Sequence, residues 1–162
     1  NCASLSVIKE GSRILVVEVE ALVSKSFTPY PQRIGDSHRK DQLNTLISIL
    51  EERAGMNMYD KNVIIKTTGG IKIQEQSVNL SIIMAIASSL MNKPIPSDVV
   101  FIGEVGLTGE IKRVPQIETR LKEIERLGYK KVYISQNMKL TQKYDLEIKQ
   151  FDSIRSVISD IF

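Results

Sequence analysis

Apolar and polar residues alternate over residues 4–8 and again over residues 14–23, with Gly11, Ser12 and Arg13 between the two stretches. A period of two sends alternate side chains to opposite faces of an extended chain, and glycine marks a turn, so this pattern predicts two strands. Residues 24–36 hold Pro29, Pro31 and Gly35 and no period, which predicts a loop of more than ten residues. Then the period changes. Leu43, Leu46, Ile47, Leu50 and Ala54 recur at i, i+3, i+4, i+7 and i+11, so a helix is expected from about residue 38 to 54, with Gly55 ending it. Val63, Ile64 and Ile65 predict a strand, broken by Gly69-Gly70. Residues 77–91 are apolar almost all round, the mark of a buried helix, and Pro94 and Pro96 stop it.

Residues 99–102 read as a short buried strand. Gly103, Gly106 and Gly109 punctuate the next stretch, and residues 110–114 resume as a strand, so a hairpin is expected. Pro115 is expected to open a third helix, with Ile117, Leu121, Ile124 and Leu127 on one face and Gly128 at its end. Residues 131–134 and 147–151 predict two more strands. Ser153 is placed to cap a last helix carrying Ile154, Val157, Ile158 and Ile161. The order β-β-α-β-α-β-β-α-β-β-α, with hairpins mixed among alternating strands and helices, places the chain in the α+β (mixed α/β) class as a single domain over residues 1–162.

Composition sharpens this picture by exclusion. The 162 residues are 42% apolar and 25% charged, the profile of a globular domain able to bury a core. One cysteine, Cys2, rules out a disulfide framework and a multi-cysteine metal site, and one histidine, His38, rules out a histidine cluster. The longest apolar run is residues 82–87, far short of a membrane span. A net charge of +3 permits a nucleic-acid partner without requiring one, and aromatic residues at 6% argue against a base-stacking platform. The chain begins with Asn1 rather than Met and is expected to be part of a longer one.

Candidate chemistry is sparse. No Gly-X4-Gly-Lys-Ser/Thr string is present, so no phosphate loop and no nucleotide hydrolysis are expected of this chain. Asp36, His38 and Asp41 cluster at a helix start, either as metal ligands or as carboxylates complementing the helix dipole. Arg33, Arg39 and Lys40 lie in or just after the long loop, Lys112 and Arg113 on the hairpin, and Lys130 and Lys131 after the third helix. Each group is either a solvated surface or part of a phosphate-tracking patch. Ser77 is either a helix cap or a nucleophile that needs a base beside it.

The string Phe101-Ile102-Gly103-Glu104-Val105-Gly106-Leu107-Thr108-Gly109-Glu110-Ile111 resembles the Lon-like C-terminal domain of the RadA family of bacterial DNA repair and recombination proteins. Leu50-Glu51-Glu52-Arg53-Ala54-Gly55, Gly69-Gly70-Ile71-Lys72, Leu127-Gly128-Tyr129-Lys130-Lys131-Val132 and the strand at residues 17–23 support it in the same order, so the likeness runs from about Val7 to Ser135. The resemblance implies the fold of the Lon proteolytic domain (ribosomal protein S5 domain 2-like), assembled in rings of six. It implies a zinc finger and a RecA-like ATPase elsewhere in the whole protein, and with them zinc, magnesium and ATP, none of which this chain is expected to hold.

Lon-type peptidases use a Ser–Lys dyad, and on that pattern Ser77 falls at the serine and Glu118 at the lysine. A glutamate ionised at neutral pH is a weak base for activating serine, so the dyad is vestigial and no catalytic residue is expected. The family carries two adjacent arginines in the long loop and one early in the first helix; here those positions are Gln32-Arg33 and Gln42, with Arg39 and Lys40 nearby. The resemblance thus points to a non-catalytic oligomerisation and DNA-binding domain serving branch migration, with DNA contacts at Arg33, Arg39, Lys40, Lys112 and Arg113. Its implied partners are further copies of itself, single- or double-stranded DNA and a recombinase of the RecA type, in the bacterial cytoplasm or an organelle, with no membrane. The alternatives are a divergent serine peptidase using Ser77 and a protein-interaction scaffold that leaves DNA alone.

Overall fold

The computed structural model describes residues 3–36, 40–68 and 74–162. Strands β1 (Ala3–Glu10) and β2 (Arg13–Lys25) form the expected hairpin, pairing Val7 with Val16 across a turn in which Gly11 takes a φ of +61°. The long loop contains a strand that the pattern does not reveal, β3 (Arg33–Gly35), parallel to β4 (Lys61–Thr67). Three residues are too few to show a period. Between them α1 (Lys40–Ala54) follows the predicted stripe and ends at Gly55, whose φ is +69°.

Helix α2 (Asn79–Met91) begins two residues later than expected, after a 3-10 turn over Gln76–Val78. Ser77 therefore is not its cap. The residue at the cap position is Val78, and no side chain caps the helix. Instead the exit of β5 (Val99–Phe101) closes the helix start: Leu80 N–H donates to the Gly103 carbonyl at 3.0 Å, and Gly103 N–H donates to the Ser77 carbonyl at 2.9 Å. Gly103 is required there by contact, because a Cβ on it would meet Ile111 Cγ2 at 2.7 Å.

The glycine-rich hairpin is present as β6 (Glu104–Val105) and β7 (Ile111–Lys112), shorter than the residues 110–114 expected for its second arm. Helix α3 (Ile117–Arg126) starts after Pro115, not on it: Gln116, in the left-handed region at φ +57°, precedes the first turn. Gly128, at φ +88°, follows its end. Strands β8 (Lys131–Ser135) and β9 (Glu147–Phe151) and helix α4 (Ile154–Ile161) complete the chain, and Ser153 Oγ accepts the Ser156 N–H as the predicted cap.

Seven strands form one sheet in the order β3-β4-β2-β1-β5-β8-β9, and four of its six neighbouring pairs are parallel. The described residues thus form a mixed α/β fold, a mostly parallel sheet with four helices. Val99 and Phe101 point into one apolar cluster with α1, α2 and α4; Val100 and Ile102 point into a second with α3. That alternation sets α3 on the opposite face from the other three helices. No helix among the described residues is long and apolar enough to cross a membrane.

Candidate functional site

A cleft of about 250 Å³ opens between α1, the 3-10 turn and the β6–β7 hairpin, lined among others by Gln42, Thr45, Gln76, Asn79, Val105 and Lys112. The weld between Gly103, Ser77 and Leu80 fixes the hairpin against the start of α2 and so sets the width of the cleft. Ser77 lies just behind its wall and is buried.

The Ser77 hydroxyl donates to Glu75 Oε1 at 3.2 Å. The same oxygen takes Arg120 Nη2 at 2.5 Å, and Glu75 Oε2 takes the Lys9 N–H. Arg120 is 1% exposed; its Nε donates to the Pro115 carbonyl and its Nη1 to the Val7 carbonyl. This set of contacts joins β1, the 3-10 turn and α3. A carboxylate paired with a guanidinium is a poor proton acceptor for a serine.

Glu118 is not brought to Ser77. Its carboxylate accepts the Thr141 N–H and hydroxyl and the Tyr144 hydroxyl, and these bonds, Thr141 first and Tyr144 second, hold its pKa below the ordinary value. On a helix two residues turn about 200°, so from α3 it is Arg120 that reaches the serine's partner while Glu118 reaches the 141–144 loop. Sequence reasoning missed Arg120 and Glu75. A signal for Arg120 was present, since it falls in the apolar stripe of Ile117, Leu121 and Ile124.

The basic candidates divide. Lys112 is exposed on the rim of the cleft, and Arg113, also exposed, is the next residue; both border a second open depression with Glu104 and Met138. Lys40 opens α1 two residues before Gln42, which lines the same cleft as Lys112. Arg33 stands apart. It is half-buried on β3 level with Val63 near the start of β4, and its Nη2 donates to the Met58 carbonyl at 2.6 Å. Arg39 and His38 lie outside the described residues, as do Cys2 and the Gly69-Gly70-Ile71-Lys72 string. Asp36 accepts the N–H and hydroxyl of Thr67 and so ties β3 to β4. Among the described residues no group of His, Cys, Asp and Glu is arranged to hold a metal ion.

The family model for subunit ChlI of Mg-chelatase matches residues 35–138, the stretch that builds the cleft. The chain belongs to that family. It is also similar over most of its length to proteins named DNA repair protein RadA. The one from Haemophilus influenzae is 37% identical over 132 residues, covering 82% of this chain and 29% of that protein. The one from Escherichia coli is 36% identical over 132 residues. The one from Streptococcus pneumoniae is 33% identical over 162 residues, covering 99% of this chain and 39% of that protein. The chain spans about a third of the length of these relatives, and the RadA likeness read from the glycine-rich string is thereby shown.

Proposed function

We propose that this chain is the Lon-like C-terminal domain of a RadA-type DNA repair protein, a non-catalytic module that assembles into a ring of six and holds DNA. The observation that carries the reading is the fate of the dyad positions within a RadA-like sequence: the Ser77 hydroxyl is committed to a Glu75–Arg120 pair, and Glu118 bonds Thr141 and Tyr144 instead. What stays free for a partner is the rim of the cleft, where Lys112 and Arg113 stand exposed and α1 begins at Lys40. The whole protein would add the DNA-dependent ATPase, with zinc, magnesium and ATP held outside this chain, and a RecA-type recombinase as partner during branch migration.

Titration of the chain with DNA at graded salt tests it. Binding is expected to be independent of sequence and to weaken with salt at a slope of roughly 0.9 per phosphate neutralised on duplex DNA. Reversing Lys40, Lys112 and Arg113 to Glu lowers affinity uniformly and flattens the slope; Arg33→Glu and Arg39→Glu, made singly, report whether the loop joins the patch. Unchanged affinity in the triple variant removes the rim from the interface. Failure of the unmodified chain to bind at low salt replaces DNA binding by a scaffold role. Casein cleavage abolished by Ser77→Ala would overturn the non-catalytic reading, and magnesium-dependent ATP hydrolysis by the pure chain would contradict the division of labour.

A further inference from the structure

The seven-stranded sheet ends at β3 on one side and at β9 on the other, and the two edges differ. At β3 the Gln32 carbonyl accepts the Val63 N–H and the Asp36 N–H donates to the Ile65 carbonyl. Main-chain groups alternate in direction along a strand, so Ile34 also turns to β4 and only Arg33 and Gly35 turn outward. That edge is blunted: it is three residues long and follows Pro29 and Pro31. At β9 the Glu147 N–H donates to the Lys130 carbonyl, and the Phe151 carbonyl accepts the Gln136 N–H. Residues 147, 149 and 151 therefore spend their main-chain groups on β8, and Ile148 and Gln150 point theirs away from the sheet. Among the described residues nothing pairs with those outward groups.

The side chains of this edge say what fits it. Glu147 and Lys149 stand on the face toward α4, with Lys149 Nζ 3.4 Å from Asp160 and 3.8 Å from Glu147, and Lys131 Nζ 3.8 Å from Glu147. These four charges cancel, which gives a polyanion nothing to hold. Leu146 and Ile148 stand on the other face, half-buried at the end of the apolar cluster beneath α3. An edge with charges of one sign repels a copy of itself. Opposite charges two residues apart attract one: in an antiparallel pairing with its two-fold axis at Ile148, Glu147 of each copy comes opposite Lys149 of the other. Ile148 then meets Ile148, exchanging two main-chain bonds, and Gln150 comes level with Leu146. The apolar cluster beneath α3 runs on into that of the second copy.

We infer that the open edge of β9 pairs antiparallel with β9 of a second copy of this chain, about a two-fold axis at Ile148, with Glu147 and Lys149 fixing the register. The contact closes at two, because each copy spends its one open edge on the other. It goes beyond the ring proposed above and is separable from it, since a ring of six uses two different surfaces and a two-fold contact uses one twice.

Sedimentation equilibrium and amide hydrogen exchange of the purified chain at micromolar concentration test it, with far-ultraviolet circular dichroism confirming that each variant is folded. The unmodified chain is expected as a pair, or as a doubled ring, with the Ile148 and Gln150 amides protected. Ile148→Pro removes an outward N–H and no bond to β8, and is expected to halve that mass and to speed exchange at Gln150 by about tenfold or more. Glu147→Lys alone and Lys149→Glu alone each set like charges opposite one another and are expected to weaken the pair by about tenfold. Mixing those two variants one to one is expected to restore it, because each then meets its opposite at both positions. Unchanged mass in Ile148→Pro, unprotected Ile148 and Gln150 amides in a paired sample, or no recovery on mixing overturns the contact. A single ring in the unmodified sample overturns it while leaving the ring reading intact; a monomer in every sample overturns both.

Discussion

Arg120 is the largest side chain in the fully buried interior, and a guanidinium there is tolerated because each of its three nitrogens has an oxygen to meet. Removing it strands Glu75 against the 3-10 turn. Arg120→Met is therefore expected to lower unfolding free energy by about 3 kcal/mol in a urea titration, in the range for breaking one side of a buried pair. Ser77→Ala deletes one bond to a carboxylate that keeps its stronger partners, and about 1 kcal/mol is expected in the same titration. The rough cost resembles that of a lost cap, but its origin is Glu75, not the end of α2. Glu118 shows why position along the chain misled. Counting along a motif finds the right turn of a helix and not the right face, and the face decides which of two neighbours meets a residue 45 positions away. The stripe through Ile117, Leu121 and Ile124 already placed position 120 inside; nothing local announced Glu75 as its acceptor.

Long periodic elements were legible: the stripe of α1, the apolar length of α2 and the capping serine of α4 all stand where their patterns put them. β3 and the two arms of the glycine-rich hairpin are two or three residues long, and their strand character comes from the neighbours they pair with. The last helix is held twice. Ser153→Ala is expected to cost about 1 kcal/mol through its cap. Farther along, Tyr133 donates to Asp160 at 2.6 Å, and its ring stacks between Phe101 and Phe151 with centroids 5.3 and 6.0 Å away. Burial first, and then the bond to Asp160, push the Tyr133 phenol well above its usual value. A raised folded value means that this contribution to stability is complete below about pH 10 and is lost as pH climbs through the raised value. Asp160 is held below the usual carboxylate range, chiefly by the tyrosine's hydroxyl and further by Lys149, so its share is present above that range and fades as pH falls through the lowered value. Followed by phenolate absorbance, Tyr133 is expected to ionise only with alkaline unfolding. In Tyr133→Phe, amide exchange over residues 154–161 is expected to quicken.

The mixed class could be read from the alternation of periods, but the strand order could not, because pairings such as Leu5 with Val100 join residues that share no local pattern. The cleft was half legible for the same reason: Lys112 and Arg113 were visible as a basic pair, while the placing of Lys112 across the cleft from α1 depends on how the hairpin is welded to α2. The sheet order has a consequence for how the chain is made. β1 is the middle strand, with three strands on either side. It leaves the ribosome before any of them, finds β2 at once, and then waits with its other edge unpaired until β5 has been synthesised, because Leu5 must wait for Val100. Throughout that interval the nascent hairpin offers an open apolar ladder to any other chain nearby. Deleting residues 3–10 should thus remove cooperative unfolding altogether, where deleting an edge strand would only fray the sheet, and slow translation through residues 26–98 should raise the yield lost to aggregation.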